Sequence, residues 1–302
     1  MNSRLKTNFL LSVVLIVALG LCAGPVRPQQ AAFSKPPKVT AFKRQPSPAA
    51  LKWANEELRR MSLEEKVGQL ISVGINATFL NQESDAYRAL KRHVEDNKIG
   101  GLILFRSPVY ESVILVNRMQ QSARYPLLIS ADLEAGAGMR FDDTVNFPWN
   151  MAVAATGNPE YARRQGDITA REARALGIQH VFAPVVDINN NAANPVINVR
   201  SYGEDPADVA RFAAAFTEGA QAAGVIATAK HFPGHGDTAV DSHRGLPEIN
   251  VARDRLNTVE FVPFKAAVNA GVGSVMVGHI ALPQIDPTAI KPLPRALKGT
   301  AI

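Results

Sequence analysis

Between residues 69 and 277 short apolar runs alternate with longer amphipathic segments, and this alternation restricts the chain to few folds. The apolar runs at 69–73, 101–105, 127–131, 179–184, 225–229 and 273–277 read as strands. The segments between them, 83–95, 111–123, 159–175, 206–223 and 253–269, read as helices. Two more helices precede the first strand, over 50–60 and from Ser62, where Glu65 three positions on completes a capping-box pattern. Strands separated by segments long enough to cross over imply a parallel sheet with helices outside it.

An open doubly wound sheet and a closed (β/α) barrel both satisfy that pattern. The polar residues that follow the strands favour the barrel. Asp132 follows the third run, Asp187 the fourth, Lys230 and His231 the fifth, and His279 the sixth. In a barrel these positions share one mouth, where active sites are built. An open sheet that binds a dinucleotide carries a glycine fingerprint after its first strand. Gly136 and Gly138 follow the third strand instead and lack a third glycine at the required spacing, so they read as a tight loop. The expectation is an α/β chain with a TIM-type barrel of about six strands, incomplete at its C-terminal end.

Charge excludes one class of partner. The chain of 302 residues has 33 Lys and Arg against 27 Asp and Glu. Seven of those cations, and no acid, lie in residues 1–48, so the remaining 254 residues carry a net charge of −1. The body therefore lacks the basic surface of a nucleic-acid binder. Arg4 and Lys6, the apolar run 9–21 and the small residues Ala23 and Gly24 read as a signal peptide over 1–24, implying a secreted or periplasmic protein. Association with a membrane would come only through that signal or a lipid on Cys22, the single cysteine. Residues 25–48, rich in Pro, Gln, Lys and Ala, read as a linker, and 49–302 as the barrel domain.

The chemistry is densest from Lys230 to His243, where three of the six histidines, two aspartates and a lysine fall within fourteen residues. Pro233, Gly234 and Gly236 forbid a helix, so His231 and His235 cannot form a helical zinc pair and no metal site is expected. Asp241 and His243 alternate around Ser242 and in an extended loop project to one side. A carboxylate beside an imidazole holds its tautomer and suits it to proton transfer near neutral pH. A solvated loop in which the two pair for structure alone is the competing reading.

The run Lys230-His-Phe-Pro-Gly-His-Gly-Asp-Thr238 with Asp241-Ser-His243 resembles glycoside hydrolase family 3, in its β-N-acetylglucosaminidase (NagZ-like) branch. The resemblance extends from about Trp53 to about Asp286. It includes Met61-Ser-Leu-Glu-Glu-Lys-Val-Gly-Gln-Leu70, Asp132-Leu-Glu-Ala-Gly136 before Arg140, Phe182-Ala-Pro-Val-Val-Asp187, and Asn198-Val-Arg-Ser-Tyr-Gly203. It implies retaining hydrolysis of a terminal β-linked N-acetylglucosamine, as in peptidoglycan fragments, without a metal or organic cofactor. Asp132, Arg140, Arg200, Lys230 and His231 would hold the terminal sugar, and His243, oriented by Asp241, would be the acid/base. Asp187 reads better as an internal cap of its loop.

Two departures stand out. The stretch Glu134-Ala-Gly-Ala-Gly-Met-Arg140 spaces its glycines where the branch has two adjacent ones before Arg, which weakens the inference for Arg140. The carboxylate nucleophile that a retaining glycosidase needs is expected in a Ser/Thr-Asp segment after the next strand, and the residues after Ile280 offer only Asp286, between prolines. The chain thus reads as an incomplete copy of the enzyme. A β-glucosidase of the same family and a non-catalytic sugar-binding or inactive fragment are the alternatives.

Overall fold

The computed structural model describes residues 42–43, 45–78 and 81–288. The signal-peptide reading of 1–24, most of the linker and Cys22 lie outside the described residues. Phe42 already donates its backbone N–H to Gln221 O at 2.8 Å, so contact with the folded body begins ahead of residue 49.

Helix α1 spans Pro48–Arg60, capped by the Ser47 hydroxyl, and α2 spans Leu63–Gly68. The expected capping box is present: Ser62 Oγ accepts from Glu65 N–H while the Glu65 carboxylate accepts from Ser62 N–H. Then follow β1 (Ser72–Ile75), α3 (Asp85–Glu95), β2 (Gly101–Leu104), α4 (Val109–Ser122) and β3 (Leu128–Ala131). Next come α5 (Asn150–Ala154), α6 (Glu160–Ala175), β4 (His180–Val181), α7 (Pro206–Ala222) and β5 (Ile226–Phe232). The last elements are α8 (Arg253–Thr258), α9 (Phe261–Asn269) and β6 (Ser274–Val277).

The six strands form one sheet in the order β1 to β6, each parallel to its sequence neighbour. Sequential order with a helical crossover at every step is the arrangement of a (β/α) barrel, here six strands of an incomplete one. An open doubly wound sheet would reverse its order at a switch point, and none occurs among the described residues. Ile129, Ala131, Val181, Ala227 and Ala229 on the central strands are buried, packed against the helical layer of Leu115, Met119, Phe212 and Phe216. The edges differ: Leu70 beside β1 is 87% exposed and Val277 on β6 is 70% exposed.

The first strand forms at Ser72–Ile75 rather than 69–73, the helix α5 was not expected, and the structure departs from the sequence expectation in three further places. Strand β4 is only two residues long, because after Val181 pairing to β5 resumes only as a bridge between Val185 and Lys230. Strand β5 runs on to Phe232, so Lys230 and His231 belong to the strand end rather than the loop beyond it. The helix expected over 253–269 breaks between Thr258 and Phe261. Pro263 has no N–H to give a carbonyl of the preceding turn, so it is tolerated at the start of a helix and not inside one.

Inside the sheet, His180 bridges three strands. Its Nε2 is 2.8 Å from Thr228 Oγ1 and its Nδ1 3.3 Å from Ser130 Oγ. Burial pushes this imidazole down to about 4 from 6.5. The unfolded chain therefore takes up the proton first. Stability present above about pH 6.5 is expected to fall as the pH drops to about 4, by at most about 3 kcal/mol from this residue. Urea titrations across that range should show the slope, and His180→Gln should reduce it without abolishing it. Two other groups add to the fall: the buried His235 imidazole, also held low by burial, across the same range, and Glu134 at its acid end, since the unfolded chain protonates that carboxyl near 4.5 while the fold holds it lower.

Candidate active site

The strand ends carry the chemistry to one mouth. Lys230, at the end of β5, is 1% exposed and reaches two carboxylates that follow β3: Asp132 Oδ1 at 2.7 Å and Glu134 Oε1 at 2.6 Å. Arg140 Nη2 holds the other Asp132 oxygen at 2.6 Å, while its guanidinium lies over the Phe105 ring. Arg200 grips Glu134 with both branches of its fork, at 2.8 Å each. A bidentate guanidinium–carboxylate pair fixes orientation as well as charge.

His231 joins the group from the neighbouring position. Its Nδ1 is 2.7 Å from Asp187 Oδ2, and its Nε2 lies 3.4 Å from Arg200 Nη2. Successive residues of a regular strand point to opposite faces, yet Lys230 and His231 both serve this site. The pairing of β5 with β6 shifts register between Lys230 and Phe232, and such an irregularity re-aims the side chains beside it. Asp187, fully buried, also accepts from the backbone N–H groups of His231 and His235. It caps the loop and orients the His231 ring at once.

Three carboxylates, Asp132, Glu134 and Asp187, thus face the permanent cations Lys230, Arg140 and Arg200 and the His231 imidazole. Burial by itself would raise each carboxyl. The charges of Lys230 and Arg140 outweigh it for Asp132, those of Lys230 and Arg200 for Glu134, and His231 with two backbone N–H groups for Asp187, so all three are held below the ordinary range. For Arg200 burial works against the charge, but the bond to Glu134 prevails and raises its pKa. The site is charge-balanced and rigid before any ligand arrives. Asp132 and the guanidinium edges retain partial exposure, which leaves an acceptor and fixed donors for a polyhydroxylated ring.

The loop leaving β5 is pinned to the one leaving β4. Asn194 Nδ2 donates to His235 O and Gly236 O, at 2.8 and 3.0 Å. A Cβ at Gly236 would sit 1.5 Å from Ile188 O, so only glycine permits this approach. Arg255, just ahead of the helix break, ties Asp237 at 3.3 Å and the buried Glu260 at 3.0 Å. His235 packs edge-on to His231 and bonds Thr238 Oγ1 through Nδ1. Asn150, on the short helix α5, donates to Arg200 O at 2.7 Å and places that backbone.

Asp241 and His243 form a separate pair. His243 Nδ1 lies 2.8 Å from Asp241 Oδ1, which also accepts the His243 backbone N–H, and these contacts hold the carboxyl below its usual range. The imidazole is 84% exposed, and none of its hydrogen bonds reaches the Lys230 cluster. The structure therefore brings Asp132, Arg140, Arg200, Lys230 and His231 together and leaves the Asp241–His243 pair out on the loop. Glu134, given no role from sequence, proves to be the hub that Lys230 and Arg200 share. Its signal was the spacing to Asp132: two acids flanking Leu133 just past a strand end. Asp286 sits in an exposed turn, accepting from Thr288 N–H. Among the described residues no group of three His, Cys, Asp or Glu side chains is placed to hold a metal ion.

Comparison with known proteins places this geometry. Residues 62–300 match the glycosyl hydrolase family 3 N-terminal domain. A protein named β-N-acetylglucosaminidase/β-glucosidase from Cellulomonas fimi is 39% identical over 232 residues, 76% of this chain and 40% of that protein. The family 3 β-N-acetylglucosaminidase structure from Paenibacillus sp. strain FPU-7 superposes with a TM-score of 0.70 at 42% identity, covering 76% of this chain and 44% of the other. NagZ from Neisseria gonorrhoeae, in complex with N-trifluoroacetyl-D-glucosamine, aligns with a TM-score of 0.63 at 30% identity over 72% of this chain and 65% of its own. The chain spans about two fifths of the Cellulomonas protein and less than half of the Paenibacillus one. With this sheet order, this strand-end cluster and a family match over most of its length, the chain belongs to glycosyl hydrolase family 3, whose N-terminal domain it carries.

Proposed function

We propose that this domain binds the terminal β-linked N-acetylglucosamine of a glycan, as in peptidoglycan fragments, and supplies the proton shuttle for its retaining hydrolysis. The observation that carries the reading is the prebuilt set Asp132, Glu134, Arg140, Arg200 and Lys230 around one mouth, with His231 held by Asp187 beside it. Fixed donors and a shared acceptor suit sugar hydroxyls, and a charge-balanced network changes little when an uncharged ring displaces water. His243, oriented by Asp241, would protonate the leaving oxygen and later activate water. The carboxylate nucleophile of a retaining glycosidase is not assigned to any described residue. If residues 1–24 act as a signal peptide, this activity would lie outside the cytoplasm, in the periplasm or medium.

Calorimetric titration with N-acetylglucosamine and with glucose tests the reading on the protein itself. Saturable binding of N-acetylglucosamine with little or no response to glucose is the expected result. Equal binding of both would favour the β-glucosidase alternative, and absence of heat with either would remove the sugar site. Hydrolysis of nitrophenyl N-acetylglucosaminide then separates an enzyme from a non-catalytic sugar binder.

A further inference from the structure

Between helices α5 and α6 lies a cavity of about 410 Å³ that no charged residue of the strand-end cluster lines. Phe147, Pro148 and Val153 contribute on one side, Tyr161 and Ile168 on the other. Both sides are fixed from behind. Phe147 N–H donates to Ala135 O at 2.8 Å and Asn150 Nδ2 to Arg200 O at 2.7 Å, which ties the α5 segment to the mouth. Helix α6 is seated on α7 through two glycines: a Cβ on Gly166 would lie 2.3 Å from Phe216 O, and one on Gly219 1.9 Å from Arg163 O. Neither side can shift without losing those contacts, so the gap between them is part of the fold.

The α6 residues that line the cavity fall at 161, 164, 165 and 168, the i, i+3, i+4, i+7 spacing of one helical stripe. A second stripe, with Ala162, Gly166 and Ala170, is buried in the core. Yet the first is not the polar face expected of a helix side that is merely solvated: Tyr161 is 50% and Ile168 39% exposed. Apolar side chains left open around a concavity of this size are the usual make-up of a ligand site.

The polar groups decide which ligand fits. Thr156 Oγ1 donates to Val153 O at 2.7 Å and accepts from Asn158 N–H at 3.2 Å. Gln165 is 4% exposed, commits Nε2 to Glu134 O and keeps Oε1 enclosed. A sugar, a nucleoside or a peptide backbone would leave its own polar groups unpaired against such walls, whereas a hydrocarbon chain would not. What remains for a ligand is the Tyr161 hydroxyl and the Arg164 guanidinium, both on exposed residues. Of the four arginines on α6, Arg163 pairs with Glu160, Arg171 with Asp167 at 2.8 Å, and Arg174 donates to Gly224 O at 3.0 Å. Arg164 has no such partner among the described residues; Glu160, bonded through both oxygens to Arg163, senses only its charge. A free guanidinium beside an apolar cavity matches a carboxylate head on an apolar body. We propose that this cavity binds a medium-chain aliphatic carboxylate, its chain between Phe147, Val153 and Ile168 and its head on Arg164. The site stands apart from the sugar mouth and does not depend on the terminal-sugar reading.

Calorimetric titration of the chain with sodium octanoate, hexanoate and 1-octanol is the test. Octanoate is expected to saturate one site. Hexanoate should bind several-fold more weakly for the two methylenes it lacks, and octanol about tenfold more weakly for want of the charged head. Arg164→Gln should weaken octanoate about tenfold and leave octanol unchanged. Ile168→Asn should weaken both. Leu63→Ser removes an apolar side chain that is 71% exposed and does not line the cavity, and it should change neither. Circular dichroism checks that each variant keeps the fold. Saturating N-acetylglucosamine should leave the octanoate affinity as it is. Absence of saturable octanoate binding, equal affinities for octanoate and octanol, or indifference to Arg164→Gln would overturn the proposal. So would competition by N-acetylglucosamine, which would put octanoate in the mouth, or a loss in Leu63→Ser equal to that in Ile168→Asn, which would mean adsorption to exposed apolar surface at large.

Discussion

Replacing Lys230 with Met is expected to cost about 3–5 kcal/mol of stability, the penalty for stripping one partner from a buried ion pair. The methionine fills most of the stem's volume, so lost packing contributes little. What remains is Asp132 and Glu134, both of which lose a bond of 2.6–2.7 Å, with Glu134 almost wholly out of water. Arg200 and Arg140 still hold one side of each acid. They cannot turn toward the vacated position, because the Glu134 fork is already bidentate and Arg140 is stacked on Phe105. Urea denaturation of wild type and variant at pH 7 measures the difference. Adding Glu134→Gln to the Lys230→Met chain should restore part of the loss, since an amide tolerates burial better than an unpaired carboxylate, and the two changes should be strongly non-additive. A loss below about 1 kcal/mol would mean that the network is solvated and that the buried pair is not what stabilises this mouth.

The second large effect concerns turnover. In a protein that carries this domain together with the segment supplying the nucleophile, His243→Ala is expected to slow hydrolysis of nitrophenyl N-acetylglucosaminide by roughly 10²–10⁴-fold, the usual span for a general acid/base group. Binding of N-acetylglucosamine should persist, because His243 makes no bond to the cluster that would hold the ring. Asp241→Asn should slow the reaction less, since that carboxylate only orients the imidazole. The structure contains a rival for this role. His231 is also an imidazole on a carboxylate, and unlike His243 it already stands inside the site, 3.4 Å from Arg200. If His243→Ala leaves the rate unchanged, the proton shuttle belongs to His231 and Asp187. A proton donor that is 84% exposed without ligand remains compatible with catalysis, because such contacts tighten when substrate arrives.

Much of the fold was legible because burial imposes periodicity. All six strands among the described residues and most of the helices follow from apolar runs and caps alone, and the capping box at Ser62 forms as its spacing requires. The break at Val259 was less visible. Pro263 makes a start of a new helix near it the favoured outcome, but where the preceding helix stops is not set by Pro263 alone, and Arg255 reaches the buried Glu260 five residues on across the break. The short helix α5 was missed because five residues are too few to display a period.

The sequence by itself determined the class of fold, the mouth at which polar residues collect, and the residue types that gather there, since hydrophobic period and strand-end position are local properties. It also determined that Asp241 and His243 would pair, because two residues are enough to close that contact. Only the tertiary structure decided that Glu134 stands at the centre of the charges and that Asp187 holds the His231 ring beside Arg200. Each of those depends on residues tens of positions apart meeting in a low-dielectric space, where the partner that happens to be within reach sets a group's charge and orientation, and no spacing along the chain reports that distance.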